Sequence, residues 1–268
     1  MLTGALLFAA WPGETAAPTY AITNARIVVG PEKTIERGIV VLRNGLIEAV
    51  GESVVVPADA RVFDAAGMTV YPGLIDGATH YGFARPPRAP APPATPTPPL
   101  PEDVAATHRY LRPQPAGMNA DVAAAARLSL PTEPDPRRNL GFTTVLAVPR
   151  DGHWQGSSAL VNLAGTAASD AVVASPVALH VSFATTGGFA LRRYPNSLMG
   201  VIAALRQSLI NAQRYRDGLR LYEESGRRGL VRPAFDPVST ALLPVLEGKV
   251  PVVFAADGAE EIRRALRL

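Results

Sequence analysis

Three observations predict an α/β chain opening on a small all-β module. Residues 20–70 hold short strand-like runs separated by turn signals, with no helical period among them. After residue 70, β-branched runs alternate with segments of helical spacing, the pattern of parallel βα units. Between the two lies Thr69 to Gly82, TVYPGLIDGATHYG, an apolar run, a Pro72-Gly73 turn and a second short run ending in polar Asp76 and His80. Polar groups at the end of a buried strand are where barrel enzymes carry their chemistry. The expected parts are a leader-like segment at 1–19, a β module at 20–70 and an α/β part at 71–268.

With 268 residues and 47% hydrophobic content, the chain can bury a large core. Its formal charge of +3 comes without any dense basic tract, so no nucleic-acid partner is expected. Lysine occurs only at Lys33 and Lys249, which leaves few candidates for a lysine nucleophile or bridging ligand. Cysteine is absent, which excludes disulfides and thiolate chemistry. Leu2 to Trp11 is apolar but too short to span a bilayer, so no stable membrane insertion is expected. It reads as the tail of a signal peptide without its basic start, which favours a periplasmic or secreted protein over a cytoplasmic one.

Taken in order, strands are expected at Ala21–Val29, Gly38–Arg43 and Leu46–Val50. Asn44-Gly45 joins the last two, since both residues of that tight turn must take positive φ. A further strand, Arg61–Asp64, completes the module, where Glu48 and Asp64 read as solvated residues. Residues 85–101 are so proline-rich that neither helix nor interior strand is possible, and an extended insertion is expected. Asn119–Leu130 reads as a helix capped by Asn119 and stopped by Pro131. Gly141–Pro149 reads as a buried strand opening into a polar loop with His153; Ala159–Leu163 and Ala171–Phe183 supply more β structure. Ser197–Glu224 carries apolar residues at spacings of three and four, a long helix with Gly218 as a candidate break. Near the end come a helix at Ala241–Glu247, a strand at Val250–Ala256 and a helix with Asp257 as its cap.

Pro72-Gly-Leu-Ile-Asp-Gly-Ala-Thr-His80 resembles the signature of the amidohydrolase superfamily, in which Pro-Gly-x-x-Asp precedes a His-x-His pair. The Asn44-Gly45 hairpin and Phe63–Val70 look like that family's amino-terminal β-sandwich, and Gly141-Phe-Thr-Thr-Val145 like its second barrel strand. Tyr194–Gly200 and the Arg-rich helix after it resemble an exported, imidazolonepropionase-like subgroup. The resemblance implies a (β/α)8 TIM-type barrel, here partial, after the β-sandwich. It implies one or two divalent metals, typically zinc, whose bound water attacks a non-peptide carbon–nitrogen bond. The implied partner is a small amide-like molecule.

Two positions depart from that pattern. Ala78 stands where the first histidine of the pair belongs, and Ala255 where a later strand would carry another; a methyl group has no lone pair to donate. His80 remains as a candidate ligand, Asp76 as its hydrogen-bonding support on the same strand face, and His153 as a substitute ligand. His180 reads as a buried residue and His108 as a surface one. Asp257 reads as a helix cap, and Lys249 precedes its strand rather than ending it. The part after residue 70 is also shorter than the roughly 250 residues of a complete barrel. Three readings therefore stay open. One is a hydrolase with at most a mononuclear or remodelled site using His80, holding zinc or another divalent metal or none. The other is a non-catalytic relative that pairs with itself or with an intact paralogue. A half-barrel unable to fold alone is a third.

Overall fold

The computed structural model describes residues 18–83, 115–131, 133, 135–164, 167–185 and 194–268. The leading apolar run, the proline-rich segment and His108 lie outside the described residues. The chain divides into two units after Gly73.

In the first unit, β1 (Tyr20–Gly30) is the axis of one five-stranded sheet. On one side it pairs antiparallel with β2 (Lys33–Arg43), which pairs with β3 (Leu46–Gly51) through the Asn44-Gly45 turn. Both turn residues have positive φ, as the hairpin requires. The other side of β1 is shared by β4 (Arg61–Asp64) and β5 (Thr69–Val70), both parallel to it. The described residues thus form a single mixed sheet in place of the expected sandwich. Ala25, Ile27, Val40 and Ala65 are its core. Glu48 and Asp64 have structural partners, Arg43 and Asn24 respectively.

In the second unit, β6 (Leu74–Thr79) runs parallel to β7 (Phe142–Ala147), the βα-type pairing that the alternation predicts. Beyond β7 the chain departs from a barrel. It turns back through the short strands β8 (Trp154–Ser157) and β9 (Ala159–Asn162), and β9 lies antiparallel against β7. Strand β10 (Val172–Ala174) extends that sheet to the order β10-β9-β7-β6. Strand β8 instead pairs antiparallel with β11 (Leu179–Ser182), which lies parallel to β12 (Val252–Ala255). Ser158, fully buried, is the corner where the chain passes from one sheet to the other; its hydroxyl donates to the Ala178 carbonyl. The described strands therefore form three open sheets, and none closes into a barrel. Periodicity identifies buried strands but not their direction, and direction is what distinguishes these sheets from a barrel.

The helices differ from expectation mainly at their ends. Only α1 (Ala124–Arg127) forms in the first helical stretch, because the Asn119 side chain donates to the Asp151 carbonyl instead of capping a helix. A second single turn, α2 (Ala168–Ala171), precedes β10. Helix α3 (Leu198–Glu224) is capped by Ser197 and runs unbroken through Gly218. A Cβ at Gly218 would sit 3.1 Å from Pro233 Cγ, so the glycine makes room for a neighbour. Val201, Leu205 and Ala212 of α3 pack with Val238 and Leu242 of α4 (Pro237–Leu246) against Trp154, Leu179 and Val181. Helix α5 (Ala259–Ala265) is preceded by Gly258 as its cap, and the Glu261 carboxylate accepts from the Asp257 backbone N–H. That interaction replaces the expected Asp257 cap. Among the described residues no helix is long and apolar enough to cross a membrane.

Candidate active site

His80 immediately follows β6. Its Nδ1 lies 2.8 Å from the Val148 carbonyl oxygen, just beyond β7, so Nδ1–H donates and, in the neutral ring, Nε2 is the nitrogen with the lone pair. The backbone supports the same contact, since Val148 N–H donates to the Thr79 carbonyl at 2.7 Å. A histidine oriented in this way can accept a proton or a ligand at Nε2. The residue is exposed.

Asp76 is engaged elsewhere. Arg137 Nη1 donates to Asp76 Oδ2 at 3.0 Å and to Thr79 Oγ1 at 2.9 Å, and Nη2 donates to Asp135 Oδ2 at 2.9 Å. One guanidinium group reaches both Asp76 and Thr79 because β6 bulges between them. Asp76 pairs with Val145 and Thr79 with Ala147, three steps on β6 against two on β7. The extra residue breaks the alternation that would put Asp76, Ala78 and His80 on one face. The hydrogen bond to Asp135 holds the Arg137 guanidinium above its ordinary pKa, against the cost of burial, and the Asp76 bond adds to it. The same bond holds the Asp135 carboxyl below the usual range. Arg137 lies over the Tyr81 ring as well, 5.4 Å from its centroid.

His153 and His180 are buried, and each leaves a ring nitrogen without a partner among the described residues: Nδ1 of His153 and Nε2 of His180. Burial lowers the pKa of both. His180 is pushed down to about 4, the charge of His80 adding to the effect, while a bond to the Ser182 backbone opposes the shift at His153. Ala255 and Asp257 are exposed at the end of β12. Lys249 precedes that strand and pairs with Glu247.

A cavity of about 240 Å³ opens beyond the ends of β6 and β7, lined by Phe83, Asn119, Arg127, Arg150, Asp151 and Gln155 among others. Sequence reasoning missed Arg137 and this cavity. Asp135-Pro136 does carry the signal of a capped turn. The distance from Arg137 to Asp76 along the chain hides their pairing.

The chain as folded is similar to a solved amidohydrolase structure. Over 92% of its length the chain matches the amidohydrolase from Thermotoga maritima MSB8, with a TM-score of 0.68 and 21% identity, and it covers 61% of that protein. A 5-methylthioadenosine/S-adenosylhomocysteine deaminase from Pyrococcus furiosus is 44% identical over 59 residues, which are 22% of this chain and 14% of that one. The chain thus spans about three fifths of the Thermotoga protein and a far smaller share of the deaminase. No protein-family model matches it.

Among the described residues the donor set does not suit the divalent metal that the sequence resemblance implies. Among the described residues no three His, Cys, Asp or Glu side chains converge to hold a metal ion. Methyl groups occupy positions 78 and 255, and Asp76 is bound to Arg137. A catalytic zinc needs three protein ligands.

Proposed function

We propose that the chain is a hydrolase of non-peptide carbon–nitrogen bonds related to the amidohydrolases, with His80, at the end of β6 beside the parallel strand β7, as its working residue. The observation that carries this reading is the orientation of His80, whose Nδ1–H is committed to Val148, so that in the neutral ring Nε2 is the basic nitrogen. The fold likeness and the local identity to a deaminase support it. In the proposed step, Nε2 takes a proton from the water that attacks the amide carbon. The same proton then passes to the leaving nitrogen as the carbon–nitrogen bond breaks. A positioned base of this kind contributes roughly 10²–10⁴-fold to a rate. The apolar run at Leu2–Trp11 supports export, as a periplasmic or secreted protein.

A second reading, a non-catalytic relative that assembles with an intact paralogue, is favoured by Ala78, Ala255 and the Asp76–Arg137 bond. One experiment separates the two. The purified full chain, prepared under zinc-replete conditions, is assayed on cyclic amides, ureides, N-acylated amino acids and aminopurine nucleosides, and its metal content is measured by elemental analysis. Turnover that falls at least a hundredfold in His80→Ala supports the hydrolase. Stoichiometric zinc lost in His80→Ala would overturn the non-catalytic reading. Absence of turnover on every class, with no bound metal, sinks the hydrolase.

A further inference from the structure

We propose that the cavity beside the ends of β6 and β7 binds the carboxylate of a small amide, so that the substrate is an N-acylated amino acid or a similar carboxylate-bearing amide; this rests on the hydrolase reading. His80 does not itself line the cavity, but two segments of the wall follow it and its hydrogen-bond partner closely along the chain. Gly82 and Phe83 of its wall follow His80 by two and three residues, and Pro149, Arg150 and Asp151 follow Val148, whose carbonyl holds the His80 ring.

Two guanidinium groups line the space. Arg150 donates from Nε to the Phe83 carbonyl at 3.3 Å, which fixes its stem and leaves both Nη groups without a partner among the described residues. Arg127, in the last turn of α1, has no acidic partner among the described residues. Such paired N–H donors match the two oxygens of a carboxylate. The Asp151 carboxylate is the countervailing group. It leaves the wall with one net positive charge and suits a ligand that brings an amide N–H along with its carboxylate.

The walls are held in place before any ligand arrives. Asn119 Nδ2 donates to the Asp151 carbonyl at 3.0 Å, Gln155 Nε2 to the Arg150 carbonyl at 3.1 Å, and Ser129 N–H to the Gly82 carbonyl at 3.0 Å. Gly152 has φ of +105°, and a Cβ there would lie 2.7 Å from the backbone carbonyl oxygens of Gly117 and Trp154, so the loop takes this path only with glycine at that position. The volume, about 240 Å³, is below the 300–1,000 Å³ of pockets for drug-sized ligands and suits a molecule of acylated amino acid size.

The test is titration calorimetry of the full chain with N-acetylglycine and with its uncharged N-methylamide, with glycine release followed in the same samples. N-acetylglycine is expected to bind at least tenfold more tightly than the N-methylamide. Arg150→Gln is expected to cost N-acetylglycine about tenfold in affinity, and Arg150→Lys less. Circular dichroism checks that each variant is folded, and raising the salt concentration on the unaltered protein should weaken N-acetylglycine alone. Equal affinity for the two probes, binding of neither, or no response to salt overturns the proposal. Preferential binding without glycine release leaves the cavity assignment standing and counts against the hydrolase.

Discussion

His180 shows what burial does to one titratable group. The ring is 4% exposed with Nε2 unpartnered, and its pKa is pushed down to about 4, so the folded chain keeps it neutral where the unfolded chain protonates it near pH 6.5. Between those values the unfolded state binds more protons, and stability falls as pH falls. His153 shifts in the same direction and adds to the slope. The melting temperature is therefore expected to be level above about pH 6.5 and to drop toward pH 4, with a shallower drop in His180→Leu; equal slopes in the two proteins would refute this. Arg137 makes a second case, joining Asp76, Thr79 and Asp135 while about a quarter exposed. Arg137→Met leaves two carboxylates without their cation and should cost about 2 kcal/mol in urea unfolding. The sequence showed Asp76 as a motif residue but not its partner. Strand alternation alone would have placed Asp76 beside His80, and the bulge in β6 that separates them depends on pairing with β7.

Among the elements, α3 and β8 are tied by one buried hydrogen bond. Trp154 Nε1 donates to Ser208 Oγ at 2.7 Å, and that hydroxyl donates to the Leu205 carbonyl at 2.7 Å, all of it inside the larger core. Ser208→Ala removes the acceptor and leaves a buried indole N–H unsatisfied, at a cost of about 1–3 kcal/mol. The melting temperature is expected to fall by about 2–4 °C per kcal/mol for a chain of this size, with a change in tryptophan emission, whereas Gln207→Ala on an exposed position should leave both unchanged. Legibility in the sequence depends on the range of the interaction. The Asn44-Gly45 hairpin and the apolar stripe of α3 are set by neighbours a few residues apart, and both were readable. Helix α1 fell short of its expected length because Asn119 bonds Asp151, thirty-two positions on. The antiparallel return through β8 and β9 depends on Ser158 meeting Ala178, and no local signal announces it.

At the scale of the molecule, two open sheets of the second unit end in parallel strands, β6 in one and β12 in the other. Parallel strands are ordinarily covered on both faces, yet Leu74 is 53% and Ile75 62% exposed on β6, and Val253 is 42% exposed on β12. Among the described residues the outer edges of β6 and β12 carry no strand partner, and such an edge with apolar side chains is a template for another strand. Self-association is expected to rise with concentration in size-exclusion chromatography with light scattering. Ile75→Lys puts a charge on the β6 edge and should shift the midpoint of association upward by about tenfold in concentration, roughly 1.4 kcal/mol. Leu221→Lys, which changes a 53% exposed residue on helix α3, provides the control: it alters surface apolarity by a similar amount without touching a strand edge. If both variants suppress association equally, general surface apolarity is responsible. If Ile75→Lys alone does so, the open edge of β6 is the contact, and covering it is the condition under which the sheet bearing His80 remains monomeric.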